Sequence, residues 1–417
     1  MLTKTLGHDF EAATDEPIAA DMPSRLLHKT LSQPALRQVT LKVDAIKGIN
    51  LSQGTCQLPV PQVVLDGAAQ ALADGMNRYS PADGVPRLRE ALVAKLKAFN
   101  SIPCGAENVA VTLGSTGALE SICHAFLAPG EEVVLFAPYY PYHRKAIEER
   151  YKGVIRYVQL RAPDWTFDLD ELDRAITPQT KFVLVCNPGN PTGKVFTRAE
   201  LAAIGSVCCR RGIFCVTDEV YEYITFDGRE HVSMASLPGL FDHTITIGSY
   251  SKTFAITGWR IGYLCAPAGV YANLRAASDQ MYICPPTPLQ YGVLKGLGSL
   301  SPDYYAAQLR DYERKRDILC GALLAAGFSL YRPQGAYYII ADTSTRFPGR
   351  TSEGVADLLI ERATIGAVPA SDFLGREVIG DPARSNFLRF CFAMPDDTLE
   401  RAANLLRIAD LDHHPEK

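Results

Sequence analysis

Apolar and polar positions change period several times along the chain, and each change marks an element. Over residues 63–69 the apolar positions recur at helical spacing. A second helical run, residues 85–96, carries Pro86 where a first turn tolerates it. Beyond it, short β-branched runs alternate with helical ones. Residues 109–113, 132–136, 181–186, 213–217 and 244–247 read as strands, and 116–127 and 198–210 as helices. Near-continuous apolar strands separated by helices predict an α/β fold with a mostly parallel sheet covered by helices on both faces. A long helical stretch over 302–326 leads out of that unit. After it come helices and short strands at 335–340 and 387–390, which predict a second, smaller α/β domain. The expected organisation is a flexible tail (1–22), an N-terminal segment that joins the small domain (23–60), a large domain (61–305) and a small C-terminal domain (306–417).

Composition narrows the function. The chain has 417 residues, too many for one compact core. A net charge of −4 argues against a nucleic-acid or anionic-membrane surface. No apolar run reaches the length of a membrane span, and the first residues lack the apolar core of a signal peptide. The eleven cysteines form no Cys-x-x-Cys pair, and an odd count favours reduced thiols and a cytoplasmic location. Adjacent Cys208 and Cys209 are poorly placed to chelate one ion, so no metal site is expected.

The chemistry gathers where strands end, which is where an open α/β sheet binds ligands. Gly114-Ser115-Thr116-Gly117 follows the strand at 109–113 and opens a helix, as either an anion cradle or an ordinary helix cap. Tyr139 and Tyr140 follow the strand at 132–136, either capping the core or stacking on a ligand. Asn187-Pro188-Gly189-Asn190-Pro191 is a double turn that aims Asn190 at the mouth of the sheet. Asp218 closes a buried strand, a costly place for a carboxylate without a partner, although it could cap a helix. Ser249, Ser251 and Lys252 follow the strand at 244–247, with Arg260 just behind. A lysine there is either a solvated charge or a nucleophile that forms an imine with a carbonyl compound.

The run Ser249-x-Ser251-Lys252-x-Phe254-x-x-x-Gly258-Trp259-Arg260-x-Gly262 resembles the lysine motif of the class I/II aminotransferases. Further matches recur in order from Gly54 to Arg389. The resemblance implies a pyridoxal-phosphate enzyme of fold type I that moves an amino group from an L-amino acid to a 2-oxo acid in a ping-pong cycle. It implies that Lys252 forms the aldimine with the cofactor, that Asp218 faces the ring nitrogen, and that Asn190 and Tyr221 bond the phenolic oxygen. Ser115, Thr116, Gly117, Ser249 and Arg260 would cradle the phosphate, Ser251 would also bind the cofactor, and Tyr140, or less favourably Tyr139, would stack on the ring. Arg389, with Gly54 and Asn190, would hold the substrate carboxylate. Tyr79 would reach the phosphate of a neighbouring subunit, which implies a homodimer. All of this rests on the resemblance and not on spacing.

The resemblance also has departures. The family commonly reads Gly-x-Pro-x-Phe in the N-terminal substrate loop, whereas this chain has Gly54-Thr55-Cys56-Gln57-Leu58. Aspartate-selective members carry an arginine in the region resembling residues 279–286, where this chain has none. These departures point to an aromatic, apolar or specialised amino acid. A pyridoxal-phosphate lyase, cyclase or oxidase of an amino acid would keep the same cofactor residues and remains the alternative. A Rossmann dehydrogenase lacks its Gly-x-Gly-x-x-Gly, and a DNA-binding regulator lacks a basic fused region.

Overall fold

The computed structural model describes residues 35–375 and 386–411. The expected tail at 1–22 and the start of the 23–60 segment lie outside the described residues.

Thirteen described strands form three sheets. The central sheet has seven strands in the order β2-β8-β7-β6-β5-β3-β4. They are β2 (Val109–Leu113), β3 (Glu132–Ala137), β4 (Val154–Gln159), β5 (Thr180–Cys186), β6 (Phe214–Asp218), β7 (Thr244–Ser249) and β8 (Ile261–Cys265). Strands β4, β3, β5, β6 and β7 run parallel, and only β8 is antiparallel to its neighbours β7 and β2. Its interior is apolar on both faces. Val134, Val183 and Val185 pack on one side with Ile204 and Val207, while Leu135, Leu184 and Ile245 pack on the other with Leu119 and Ile122.

A four-stranded antiparallel sheet has the order β12-β13-β10-β9 (Val368–Pro369, Phe387–Cys391, Tyr338–Asp342, Ser329–Tyr331). Two further short strands, β1 (Ile49–Asn50) and β11 (Ile365–Gly366), pair in parallel. Ile49 and Leu51 therefore share a core with Ile365, Leu388 and Phe390. The helix Pro302–Ala325 and the helix Asp396–Ile408 cover that core.

Several boundaries differ from the sequence reading. The strand expected at 335–340 begins only at Tyr338. Ala336 has φ +58 and is buried, so the chain turns through the left-handed region before it can extend. β7 runs two residues further than its apolar run, because Gly248 and Ser249 pair with Tyr263 and Gly262. β4 and β8 were not marked by the apolar pattern. β4 is an edge strand with alternate exposed positions, and β8 is glycine-containing and short.

Candidate active site

Each strand end delivers one polar group. Cys186 is in register with Asp218, and Asp218 with Ile247, so the turns after β5, β6 and β7 open on the same edge of the sheet. Leu113 pairs with Ile261, which sets the start of the helix Gly114–Phe126 against Arg260. Gly114 has φ +68, and a Cβ there would lie 2.5 Å from the Arg260 guanidinium. Only glycine fits this turn. No side chain caps the helix, so the first-turn N–H groups of Ser115, Thr116 and Gly117 stay available to an anion beside that guanidinium. Arg260 donates to the Thr257 carbonyl at 2.9 Å and has no carboxylate partner among the described residues.

Ser249 Oγ lies 2.8 Å from Ser251 Oγ and 3.0 Å from the Ile261 carbonyl, and accepts from the Ser251 N–H. These contacts fix the helical turn Tyr250–Thr253 that presents Lys252. The Lys252 amine donates to the Gly54 carbonyl at 2.7 Å. Burial pushes its pKa from the ordinary 10.5 down to about 8. The Arg260 and Arg389 charges act in the same direction, and the Cys56 and Cys391 thiols oppose them. A protonated amine cannot attack a carbonyl carbon. Covalent capture of an aldehyde at Lys252 of the cofactor-free protein should therefore rise with pH and level off above about 8. Labelling of exposed lysines should keep rising beyond 10. Borohydride trapping across a pH series, followed by peptide mapping, separates the two.

Asp218 is buried, and its Oδ2 lies 3.0 Å from His143 Nε2. The Tyr140 ring meets the His143 ring edge-on at 5.2 Å. Tyr139 points elsewhere: it is buried, stacks on Tyr157 and donates to the Leu374 carbonyl at 2.7 Å. Of the two adjacent tyrosines, Tyr140 is thus the one beside Asp218. His143 was not legible in the sequence, since it lies in a short helical turn and its partner is 75 residues away at the end of β6.

Arg389 on β13 is 2% exposed. It donates to Asn190 Oδ1 at 2.9 Å and to the Ser52 carbonyl at 2.6 Å, with its guanidinium over the rings of Tyr338 and Phe373 at 4.2 and 4.8 Å. Its Nε is buried without an acceptor, a costly state that an anionic ligand would relieve. Tyr221 is buried, and its hydroxyl lies 2.9 Å from that of Tyr338. Burial pushes the Tyr221 phenol well above its usual pKa, so it stays a donor at neutral pH. The Tyr337 hydroxyl donates to the Gly54 carbonyl at 2.7 Å. A Cβ on Gly54 would run into the Tyr338 hydroxyl, so the loop approaches these tyrosines as closely as glycine permits. Tyr79 is not part of this group within one chain, being 80% exposed.

One cluster of metal-ligand type lies among the described residues: Glu219, Glu222 and His231. Its carboxylate oxygens are already taken. Glu222 accepts from Lys95, Tyr263 and Asn100, and Glu219 from Thr217, Ser233 and His231. The cluster reads as a buried polar network beside Asp218.

Residues 46–406 match the family model of aminotransferase class I and II. The chain belongs to this family. The aminotransferase is 32% identical over 368 residues to the aspartate/prephenate aminotransferase of Thermus thermophilus, covering 88% of this chain and 92% of that protein. It is 31% identical over 364 residues to the methionine aminotransferase of Escherichia coli, covering 87% and 92%. The solved structure of N-succinyldiaminopimelate aminotransferase from Mycobacterium tuberculosis superposes with a TM-score of 0.85 at 30% identity, over 91% of this chain and all of that one. Aspartate aminotransferase from Thermus thermophilus with maleate gives 0.82 at 31% identity, over 93% and 98%. The aminotransferase thus has fold type I and uses pyridoxal 5'-phosphate. The site suits that group. It offers an uncapped helix start beside a free guanidinium for the phosphate, a buried carboxylate for the ring nitrogen and a part-buried amine for the aldehyde.

Proposed function

We propose that this aminotransferase moves an amino group from an L-amino acid to a 2-oxo acid, using Lys252 as both the attachment point and the proton carrier. The observation that carries the reading is the Lys252 amine, its pKa lowered by burial, resting 2.7 Å from the Gly54 carbonyl. Pyridoxal 5'-phosphate, when bound, supplies an electron sink for the charge left on the substrate α-carbon. Asp218, steadied by His143, would keep a proton on the ring nitrogen. Asn190 and Tyr221 would donate to the phenolic oxygen, and Tyr140 would stack on the ring. Ser115, Thr116, Gly117, Ser249 and Arg260 would hold the phosphate, with Ser251 also at the cofactor. Arg389 grips the substrate α-carboxylate, aided by Asn190 and Gly54. The Lys252 amine would take the α-proton of the bound amino acid and give a proton back.

Residues 61–305 act as the cofactor-holding domain, and 306–417 with 23–60 as the smaller one. The pairing of β1 with β11 supports that division. A homodimer with Tyr79 reaching the neighbouring site is supported by the exposure of Tyr79 and of Leu72 and Met76 a few residues earlier in the sequence. Free thiols at all eleven cysteines support a cytoplasmic location. No described helix is long and apolar enough to cross a membrane.

For the substrate, we favour an aromatic, apolar or specialised amino acid. The two guanidinium groups acting on Lys252, those of Arg260 and Arg389, both have anions to hold, and residues 279–286 supply no third. The test is a panel of amino acids mixed with the yellow protein without a 2-oxo acid. A true donor should bleach the visible band in a single stoichiometric turnover, and dicarboxylic donors should be the poorer ones. Continuous product formation with the band intact would indicate a lyase, cyclase or oxidase instead.

A further inference from the structure

Tyr337 adds a hydroxyl that the catalytic roles above do not use. It is fully buried, on the stretch that enters β10, and its ring lies 5.5 Å from the Lys252 amine. Its hydroxyl and that amine bond the same atom, the Gly54 carbonyl oxygen, each at 2.7 Å. A carbonyl oxygen has two lone pairs, and two donors there compete for its electron density. The phenol thus does two things to the amine. It fixes the direction of the carbonyl, and it limits how strongly that carbonyl can hold an ammonium.

We propose that Tyr337 is a positioning residue for Lys252, acting through the Gly54 carbonyl to set where the amine rests and how much lone-pair density it receives. The inference rests on the assignment of Lys252 made above. A base that must take up and give back a proton benefits from an acceptor that orients it without trapping it in the charged form. The other groups facing the amine come from separate elements: Cys56 in the N-terminal loop, Arg260 before β8, and Arg389 and Cys391 on β13. All four stay in place in sequence when the Tyr337 oxygen is removed, and the hydrogen bond to the Gly54 carbonyl is the one contact that the phenol shares with the amine. Tyr312 is the matched control. It stacks on Tyr337 at 5.9 Å in the same core, but its hydroxyl faces Cys56 Sγ at 3.2 Å.

The experiment compares the full-length wild type, Tyr337→Phe and Tyr312→Phe. In each cofactor-free protein, capture of pyridoxal phosphate at Lys252 is trapped with borohydride across a pH series and mapped. The pH profile of kcat, which reports the substrate complex in which the Lys252 amine is released, is recorded on the loaded enzymes. Tyr337→Phe should move both midpoints upward by roughly half a pH unit, the size expected when one neutral hydrogen bond is redistributed. Tyr312→Phe, which reaches the amine only through Cys56, should move them far less. A purely structural role for Tyr337 would lower the melting temperature of Tyr337→Phe and move neither midpoint, which would overturn the inference, as would a downward shift. A single 3-fluorotyrosine placed at 337 is a stronger donor and should move the midpoint down. That measurement decides the matter if Tyr337→Phe does not fold. Trapping on a residue other than 252 in the wild type would overturn the attachment assignment and this inference together. An unmoved midpoint at 252 would overturn only the role of Tyr337.

Discussion

Lys252→Ala should lose at least about 10⁴-fold in turnover while keeping its fold, because the variant lacks both the covalent anchor and the proton carrier. The Lys252 amine makes one hydrogen bond, to the Gly54 carbonyl, and carries no buried ion pair among the described residues. Removing it leaves no charge stranded, so the melting temperature of the cofactor-free protein should hardly change. The phosphate contacts at Arg260 and the helix start at Gly114 remain. The variant should thus still take up the cofactor, but borohydride should fix none of it to the chain. Small primary amines added to the buffer should restore part of the proton transfer. Near-normal turnover in the variant would remove the proposed mechanism.

Asp218→Asn should have the second largest effect, lowering kcat by about 10²–10⁴-fold. That corresponds to the loss of a buried charge-assisted contact of about 2–5 kcal/mol. The substituted amide keeps a hydrogen bond available to His143, 3.0 Å away in the wild type, so the local packing survives. It cannot keep a proton on a ring nitrogen, and the electron sink weakens. The half-reaction measured by stopped-flow with a good donor should slow by the same factor as kcat, while the binding of a substrate analogue through Arg389 should change little. An equal loss in analogue binding would show that the substitution had disturbed the site as a whole.

Where the sequence succeeded and where it did not has a simple physical cause. The strand that ends at Asp218 and the strand that leads to Lys252 are buried on both faces, so they read as continuous apolar runs, and the residues at and after their ends stood out. The Gly114 turn was legible because a positive φ against a guanidinium requires glycine. His143 was not legible. It sits in a short helical turn with no local signature, and its importance comes from a contact made only when β3 and β6 are laid in one sheet. Tyr337 reads as strand because aromatic residues favour strands, yet β10 opens only at Tyr338. The left-handed residue at Ala336, which turns both rings toward Gly54 and Tyr221, leaves no mark in a hydrophobic pattern. Cys56 was seen only as a departure from a family pattern. Its contact with Tyr312 spans 256 residues.

The two-residue pairing of Ile49–Asn50 with Ile365–Gly366 bears on the order in which the molecule can assemble. The seven-stranded sheet draws on residues 109 to 265 and can close while the ribosome is still working. Ser52 must wait for a partner 337 positions downstream, so the loop that receives the substrate lacks its anchor on Arg389 until nearly the whole polypeptide has emerged. A nascent chain stalled before that point should be able to hold the vitamin but not grip an amino acid.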